Sequence, residues 1–172
     1  MVGRVPDGEG YLASHSIHTA DTCDTWYYQL ELDDDGAPAR VMRARPETGR
    51  ILRRTVETHL RRCCDGAAAR AGMRLDDVDF FVFHTPTAWF ASFAANALGI
   101  DPERTTSVYE RFANVGPALT PINLHHAAKT GRLREGQTVM IYGPGSVSSA
   151  AAVLLRWGDV PLSNPPTGMV YR

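Results

Sequence analysis

The sequence predicts a layered α/β domain. Val78–Phe83 (Val-Asp-Phe-Phe-Val-Phe) and Thr138–Tyr142 are short, nearly continuous apolar runs. That is the pattern of strands buried on both faces of a sheet. Helical spacing over Glu47–Ala71 and Thr87–Leu98 flanks and separates them. Strands alternating with helices define the layered class. A length of 172 residues suits one domain with a substantial core.

Taken in order, Tyr11–Ile17 is short and β-compatible. Trp26–Leu32 (Trp-Tyr-Tyr-Gln-Leu-Glu-Leu) is aromatic-rich and partly alternating, which predicts a strand. Asp33-Asp34-Asp35-Gly36 closes it as a turn rather than a metal loop. Glu47–Ala71 places Ile51, Leu52, Val56, Leu60 and Cys64 on one stripe of a long helix. Gly66 and Gly72 weaken its end. Gly99 stops the apolar helix Thr87–Leu98. Ser107–Tyr109 reads as a short strand. Pro117–Thr130 reads as a helix with prolines in its first turns and Gly131 just past its end. Ser148–Trp157 fits strand or helix. The domain is expected to span residues 1–160, with an irregular, proline-bearing tail over 161–172.

Composition narrows the function. Hydrophobic residues are 44% and charged residues 22%, so disorder is excluded. A net charge of −1 argues against nucleic-acid binding, because phosphate neutralisation calls for a basic excess. No apolar run has the length of a membrane span, and Met1–Gly10 is polar, unlike a secretory signal. Cys23, Cys63 and Cys64 make neither a disulfide framework nor a metal site. A reducing, cytoplasmic setting follows. The adjacent Cys63-Cys64 pair reads as small core residues. All the basic residues except Lys129 are arginines, and Arg50, Arg53, Arg54, Arg61, Arg62 and Arg70 sit on the long helix. They form a solvated face or a patch for an acidic partner. His125-His126 has no metal-ligand spacing. Trp26, Tyr27 and Tyr28 suit a core or an interface.

Three strand-end features carry candidate chemistry. His84 stands where an apolar strand stops and a helix begins, the place where α/β sheets bind ligands. A histidine satisfying its own loop fits as well. Asn114, in Phe-Ala-Asn-Val-Gly-Pro-Ala, has a similar setting and also reads as a cap or turn residue. Gly143-Pro144-Gly145-Ser146 follows Tyr142, and glycines there let a substrate approach the backbone. An imidazole and an amide around one pocket offer two donors to a thioester carbonyl.

Four ordered segments now carry a resemblance: Val-Asp-Phe-Phe-Val-Phe-His-Thr-Pro-Thr, Tyr-Glu-Arg-Phe-Ala-Asn-Val-Gly-Pro-Ala, Gly-Arg-Leu-Arg-Glu-Gly-Gln-Thr-Val-Met-Ile-Tyr-Gly-Pro-Gly and Ser-Ser-Ala-Ala-Ala-Val-Leu-Leu-Arg-Trp. From Asp77 to Asp159 the chain resembles the C-terminal half of a ketoacyl-acyl carrier protein synthase III, in the thiolase superfamily. The 30 positions between His84 and Asn114 agree. The resemblance implies a mixed five-stranded sheet with helices on both faces. It also implies a Cys-His-Asn acyltransferase acting on acyl-carrier-protein or coenzyme A thioesters, with no metal and no other cofactor. By match, His84 and Asn114 are the catalytic His and Asn. Tyr142 lines the acyl pocket, and Gly143, Gly145 and Ser146 belong to the oxyanion loop. Whole enzymes of the family pack two such halves and dimerise, so a complementary N-terminal half is the expected partner. Arg4-Val5-Pro6-Asp7-Gly8 also reads as the middle of a longer chain.

Three departures stand out. None of the cysteines has the context of the family's nucleophile, which belongs to the N-terminal half. The family's His-Gln-Ala-Asn becomes His84-Thr85-Pro86-Thr87, with Trp89 where a basic residue is expected. Pro144, in the middle of the glycine loop, has no N–H to donate. An ordinary condensing activity is therefore expected to be weakened, and plain acyl transfer is left open. A non-catalytic, partner-binding module is the alternative.

Overall fold

The computed structural model describes residues 7–145 and 148–162. Arg4, Val5 and Pro6, Ser146, and residues 163–172 of the expected tail lie outside the described residues. Pro161 and Leu162 belong to no helix or strand.

Six strands form. They are β1 (Gly10–His18), β2 (Trp26–Leu32), β3 (Pro38–Ala44), β4 (Phe80–Phe83), β5 (Thr138–Pro144) and β6 (Ser149–Arg156). The helices are α1 (Thr48–Arg70), α2 (Phe90–Leu98), the single turn α3 (Tyr109–Phe112) and α4 (Leu119–Lys129). The main sheet runs β1-β6-β5-β4, and β2-β3 form a separate two-stranded ladder. β4 pairs in parallel with β5, while β5–β6 and β6–β1 are antiparallel, so the sheet is mixed. Ser148–Trp157, left between helix and strand by its pattern, is a strand because β5 and β1 complete its ladder on both sides.

The sheet stops at four continuous strands. A fifth position survives as one parallel bridge, Phe81 to Thr105. The strand expected at Ser107–Tyr109 is replaced by the start of α3. The physical reason is local. The Val108 N–H is taken by the Asn123 side chain at 2.9 Å, and the Tyr109 N–H donates to Ser107 Oγ at 3.2 Å. Those donors are then lost to a ladder and favour a turn. The strand over Pro38–Ala44 was hidden from sequence reading, because arginines interrupt its apolar residues.

Every residue of β4 is buried, as its apolar run requires. Leu60, Cys63, Cys64, Ala67 and Ala68 of α1 and Ala94, Ala95, Ala97 and Leu98 of α2 cover one face of the sheet. Ala127 of α4 joins Phe80, Val82, Val139 and Leu133 on the other. Helices thus lie on both faces. The stripe on α1 buries only its later half: Leu60 and Cys64 are buried, whereas Ile51, Leu52 and Val56 are half-buried. The α1 arginines are exposed. Both members of the Cys63-Cys64 pair are buried, and burial raises both thiols above their ordinary value, Cys64 strongly. Cys23 is exposed. No helix among the described residues is long and apolar enough to cross a membrane.

Candidate active site

β4 delivers His84. Its last residue is Phe83, and the next N–H, that of His84, donates to the Tyr142 carbonyl of β5 at 2.9 Å. The parallel ladder therefore reaches one residue past the strand. It sets the His84 backbone beside the point where β5 turns into its glycine-rich end. The His84 ring is half-buried and has no hydrogen-bond partner among the described residues. Burial holds its pKa below the ordinary imidazole value, so the ring is neutral at pH 7. A neutral imidazole offers one donor and one acceptor nitrogen.

The loop after His84 is held from below. Asn123 of α4 is fully buried, and its Nδ2 donates to the Phe83 carbonyl at 2.9 Å and to Thr85 Oγ1 at 3.0 Å. Its Oδ1 accepts the Val108 N–H. One amide thus ties the end of β4, the loop behind His84 and the segment leading to α3. Sequence reading missed this residue. The available signal was a polar side chain within the buried i, i+4 stripe Leu119–Asn123–Ala127 of a helix. Thr87, three residues past His84, has a buried hydroxyl with no partner among the described residues.

Asn114 lies on the connection between α3 and α4 and is exposed. Its Oδ1 accepts the Gly116 N–H at 3.0 Å, an Asx turn. The preceding Ala113 has φ 53° and ψ −155°, unusual for a residue with a Cβ. The structure joins His84 to Tyr142 directly, whereas Asn114 is held by its own turn and bonds to none of the other candidates among the described residues.

Tyr142 is buried, paired with Phe83 on one side and Ala152 on the other. Burial raises its phenol, with Cys63 and Cys64 as smaller contributions in the same direction. Gly143 and Pro144 continue β5 opposite Ala151 and Ala150. The Gly145 N–H donates to the Ser149 carbonyl at 2.8 Å, and Ser149 Oγ donates back to the Gly145 carbonyl. Since Gly145 faces β6, strand alternation turns the backbone of position 144 toward the β4 side, where His84 sits. A proline there has no N–H to offer that side beyond Tyr142. Among the described residues no group of three His, Cys, Asp or Glu side chains could hold a metal.

The family model for the 3-oxoacyl-[acyl-carrier-protein] synthase III C terminal matches residues 68–157. The chain belongs to this synthase III C-terminal family. The match contains β4, the His84 loop, Asn114, α4 and the glycine-rich end of β5. The beta-ketoacyl-[acyl-carrier-protein] synthase III of Staphylococcus saprophyticus is 27% identical over 164 residues, covering 92% of this chain and 47% of that protein. The Agrobacterium fabrum enzyme of the same name is 29% identical, with 91% and 49% covered. The crystal structure of beta-ketoacyl-[acyl carrier protein] synthase III from Thermus thermophilus superposes with a TM-score of 0.74 at 25% identity. It matches over 92% of this chain and 50% of its own. A 3-oxoacyl-[acyl-carrier-protein] synthase III from Aquifex aeolicus gives 0.73 at 23% identity over 90% and 46%, a likeness of fold alone. The synthase III C-terminal domain here thus has the thiolase-like α/β fold. The chain spans about half the length of the relatives it matches.

Proposed function

We propose that this chain is the C-terminal half of a synthase III-like acyltransferase, with its domain over residues 1–160. It supplies His84 and Asn114 to a site whose cysteine nucleophile belongs to an N-terminal half. The observation that carries the reading is the His84 backbone locked to Tyr142 at the open end of the sheet, its neutral ring unpartnered. Packing favours a second half as well. α4 covers the β4–β5 part of its face, but Ala151 and Val153 of β6 remain half-exposed beside Ser14 and Ser16 of β1. An uncovered sheet face of this kind calls for another layer.

The chemistry follows from the donors. The second half's thiolate takes an acyl group from a coenzyme A or acyl-carrier-protein thioester, and no metal or redox cofactor takes part in that step. The His84 imidazole and the Asn114 amide donate to the carbonyl of the second thioester, stabilising negative charge that develops on its oxygen. Tyr142 packs beneath the acyl pocket. Gly143 and Gly145 border it, with Pro144 thinning the donor set at its centre, and Ser146 is assigned to the same loop by the family match alone. The thinner donor set favours transfer to a ready nucleophile over decarboxylative carbon–carbon bond formation, which develops more charge.

The test is acyl transfer by the chain purified with its complementary half. His84→Ala is expected to lower kcat by roughly 10²–10⁴-fold, the range for a positioned proton-transfer or donor group. Unchanged turnover overturns the catalytic reading. Asn114 engaged in its own turn and Pro144 at the glycine loop favour a second reading, a non-catalytic module that only binds a partner. That reading predicts no turnover with any cysteine-bearing half.

A further inference from the structure

Asn123 is an unexpected residue for its place. It lies fully buried on α4, in the stripe between Leu119 and Ala127. Burying an amide is costly unless its bonds are met, and Ala127 covers the sheet one turn later without that cost. Here the bonds are met by distant groups: Phe83 lies 40 positions away, Thr85 38 and Val108 15. The Phe83 carbonyl only accepts and the Val108 N–H only donates, so the amide fits one way round.

Those bonds bracket both candidate side chains. The Phe83 carbonyl and the His84 N–H belong to one planar peptide unit. Asn123 Nδ2 donates to its oxygen at 2.9 Å, and its N–H donates to the Tyr142 carbonyl at 2.9 Å. The unit is thus held from both sides. On the far side of His84, Nδ2 also holds Thr85 Oγ1 at 3.0 Å. The His84 ring has no partner among the described residues, so its aim comes from that backbone. Asn123 Oδ1 accepts the Val108 N–H at 2.9 Å and closes the segment from Val108 to Asn123 at its base. Asn114 sits inside that closed segment. Its Asx turn commits its own Oδ1 to the Gly116 N–H at 3.0 Å, which leaves Nδ2 as its donor.

We infer that Asn123 is a positioning residue: one buried amide sets the His84 loop and the Asn114 loop in register, so that two donors reach a single carbonyl. This rests on the reading that His84 and Asn114 act together, and it assigns the group that holds them so. No neighbour in the chain can do it, because the two are 30 positions apart. The demand on position is strict, since a shift of about 1 Å can cost roughly 10²-fold in rate.

NMR on the 172-residue chain reads the register without a partner half. In Asn123→Leu the His84 ring, the Asn114 side-chain amide and the Gly116 N–H are expected to shift together. The Thr138 N–H, bound to Asp79 Oδ2 at the other end of β4, is expected to stay in place. Lost stability alone leaves folded-state resonances where they are. Thr85→Val, close in shape, removes only the Thr85 bond. It is expected to shift the His84 ring and leave Asn114 and Gly116 unmoved, and it carries the test if Asn123→Leu fails to fold. In the complex with a cysteine-bearing half, Asn123→Leu is expected to lower kcat about 10²-fold with KM within about twofold. Unmoved His84 resonances in either variant overturn the inference. So does an unchanged kcat in Asn123→Leu where His84→Ala abolishes turnover. Shifted resonances with turnover untouched by His84→Ala keep the register and overturn the catalytic reading instead.

Discussion

Asn123 donates to the Phe83 carbonyl across 2.9 Å, from the middle of a helix to the last residue of a buried strand. The strand ends there, and His84 begins the loop that the candidate chemistry uses. Asn123→Leu strips partners from the Phe83 carbonyl, the Thr85 hydroxyl and the Val108 N–H at once. The loss is expected to be on the order of 3 kcal/mol, since each buried orphan costs about 1–3 kcal/mol and such effects overlap. Urea unfolding measures it. A loss under about 0.5 kcal/mol, the size of an ordinary surface change, would show that water replaces the amide.

Ala113 occupies a backbone region that glycine adopts freely. Ala113→Gly relieves strain of about 1–2 kcal/mol and gives back part of it to the freer unfolded chain. A net gain of roughly 0.5 kcal/mol is expected, a rise in Tm of about 2 °C for a chain of this size. A fall in Tm would mean that the Ala113 methyl makes contacts worth more than the strain.

His59, His84 and His126 all titrate below the ordinary imidazole value, with burial as the leading cause. For His126, Arg111, Arg132 and His125 add to it. The unfolded chain therefore binds protons that the folded chain refuses. Stability is full above the unfolded value of about 6.5 and falls as pH drops through the lower folded values. Melting scans from pH 7.5 to 5 are expected to show a falling Tm. His84→Gln is expected to flatten that fall, and an unchanged slope would remove His84 from the set.

Gly66 lies on α1 where a Cβ would come 2.6 Å from the His15 ring. Alanine is the better helix former by about 1 kcal/mol, yet Gly66→Ala is expected to destabilise, because the ring must move. In a His15→Ser background the same change is expected to stabilise by up to about 1 kcal/mol. Equal effects in both backgrounds would exclude the contact.

Pro144→Gly restores an N–H on the β4 side of β5. In the complex with a cysteine-bearing half it is expected to raise kcat roughly tenfold or more with little change in KM, as one oxyanion donor is worth about 10²–10³. No gain would place the working donors elsewhere.

Much of this was legible beforehand. The apolar runs placed β4 and β5, helical spacing placed α1 and α2, and four ordered motifs pointed to the family and to His84. Those signals are local, because burial on both faces and a 3.6-residue stripe are written in consecutive residues. The hairpin partner β3 and the turn α3 were not legible. β3 exists because β2 offers it a ladder. α3 replaces a strand because Asn123, 15 residues away, captures the Val108 N–H.

The sequence alone determined the layered class, the buried strands, the neutral composition and the candidate His, Asn and glycine loop. Only the tertiary structure decided which groups meet. It locked His84 to Tyr142, turned Asn114 into its own loop and made Asn123 the clamp. The physical reason is that a hydrogen bond needs its partner within about 3 Å and in line. Which distant residue arrives there is set by the packing of helices on the sheet, not by the residues on either side.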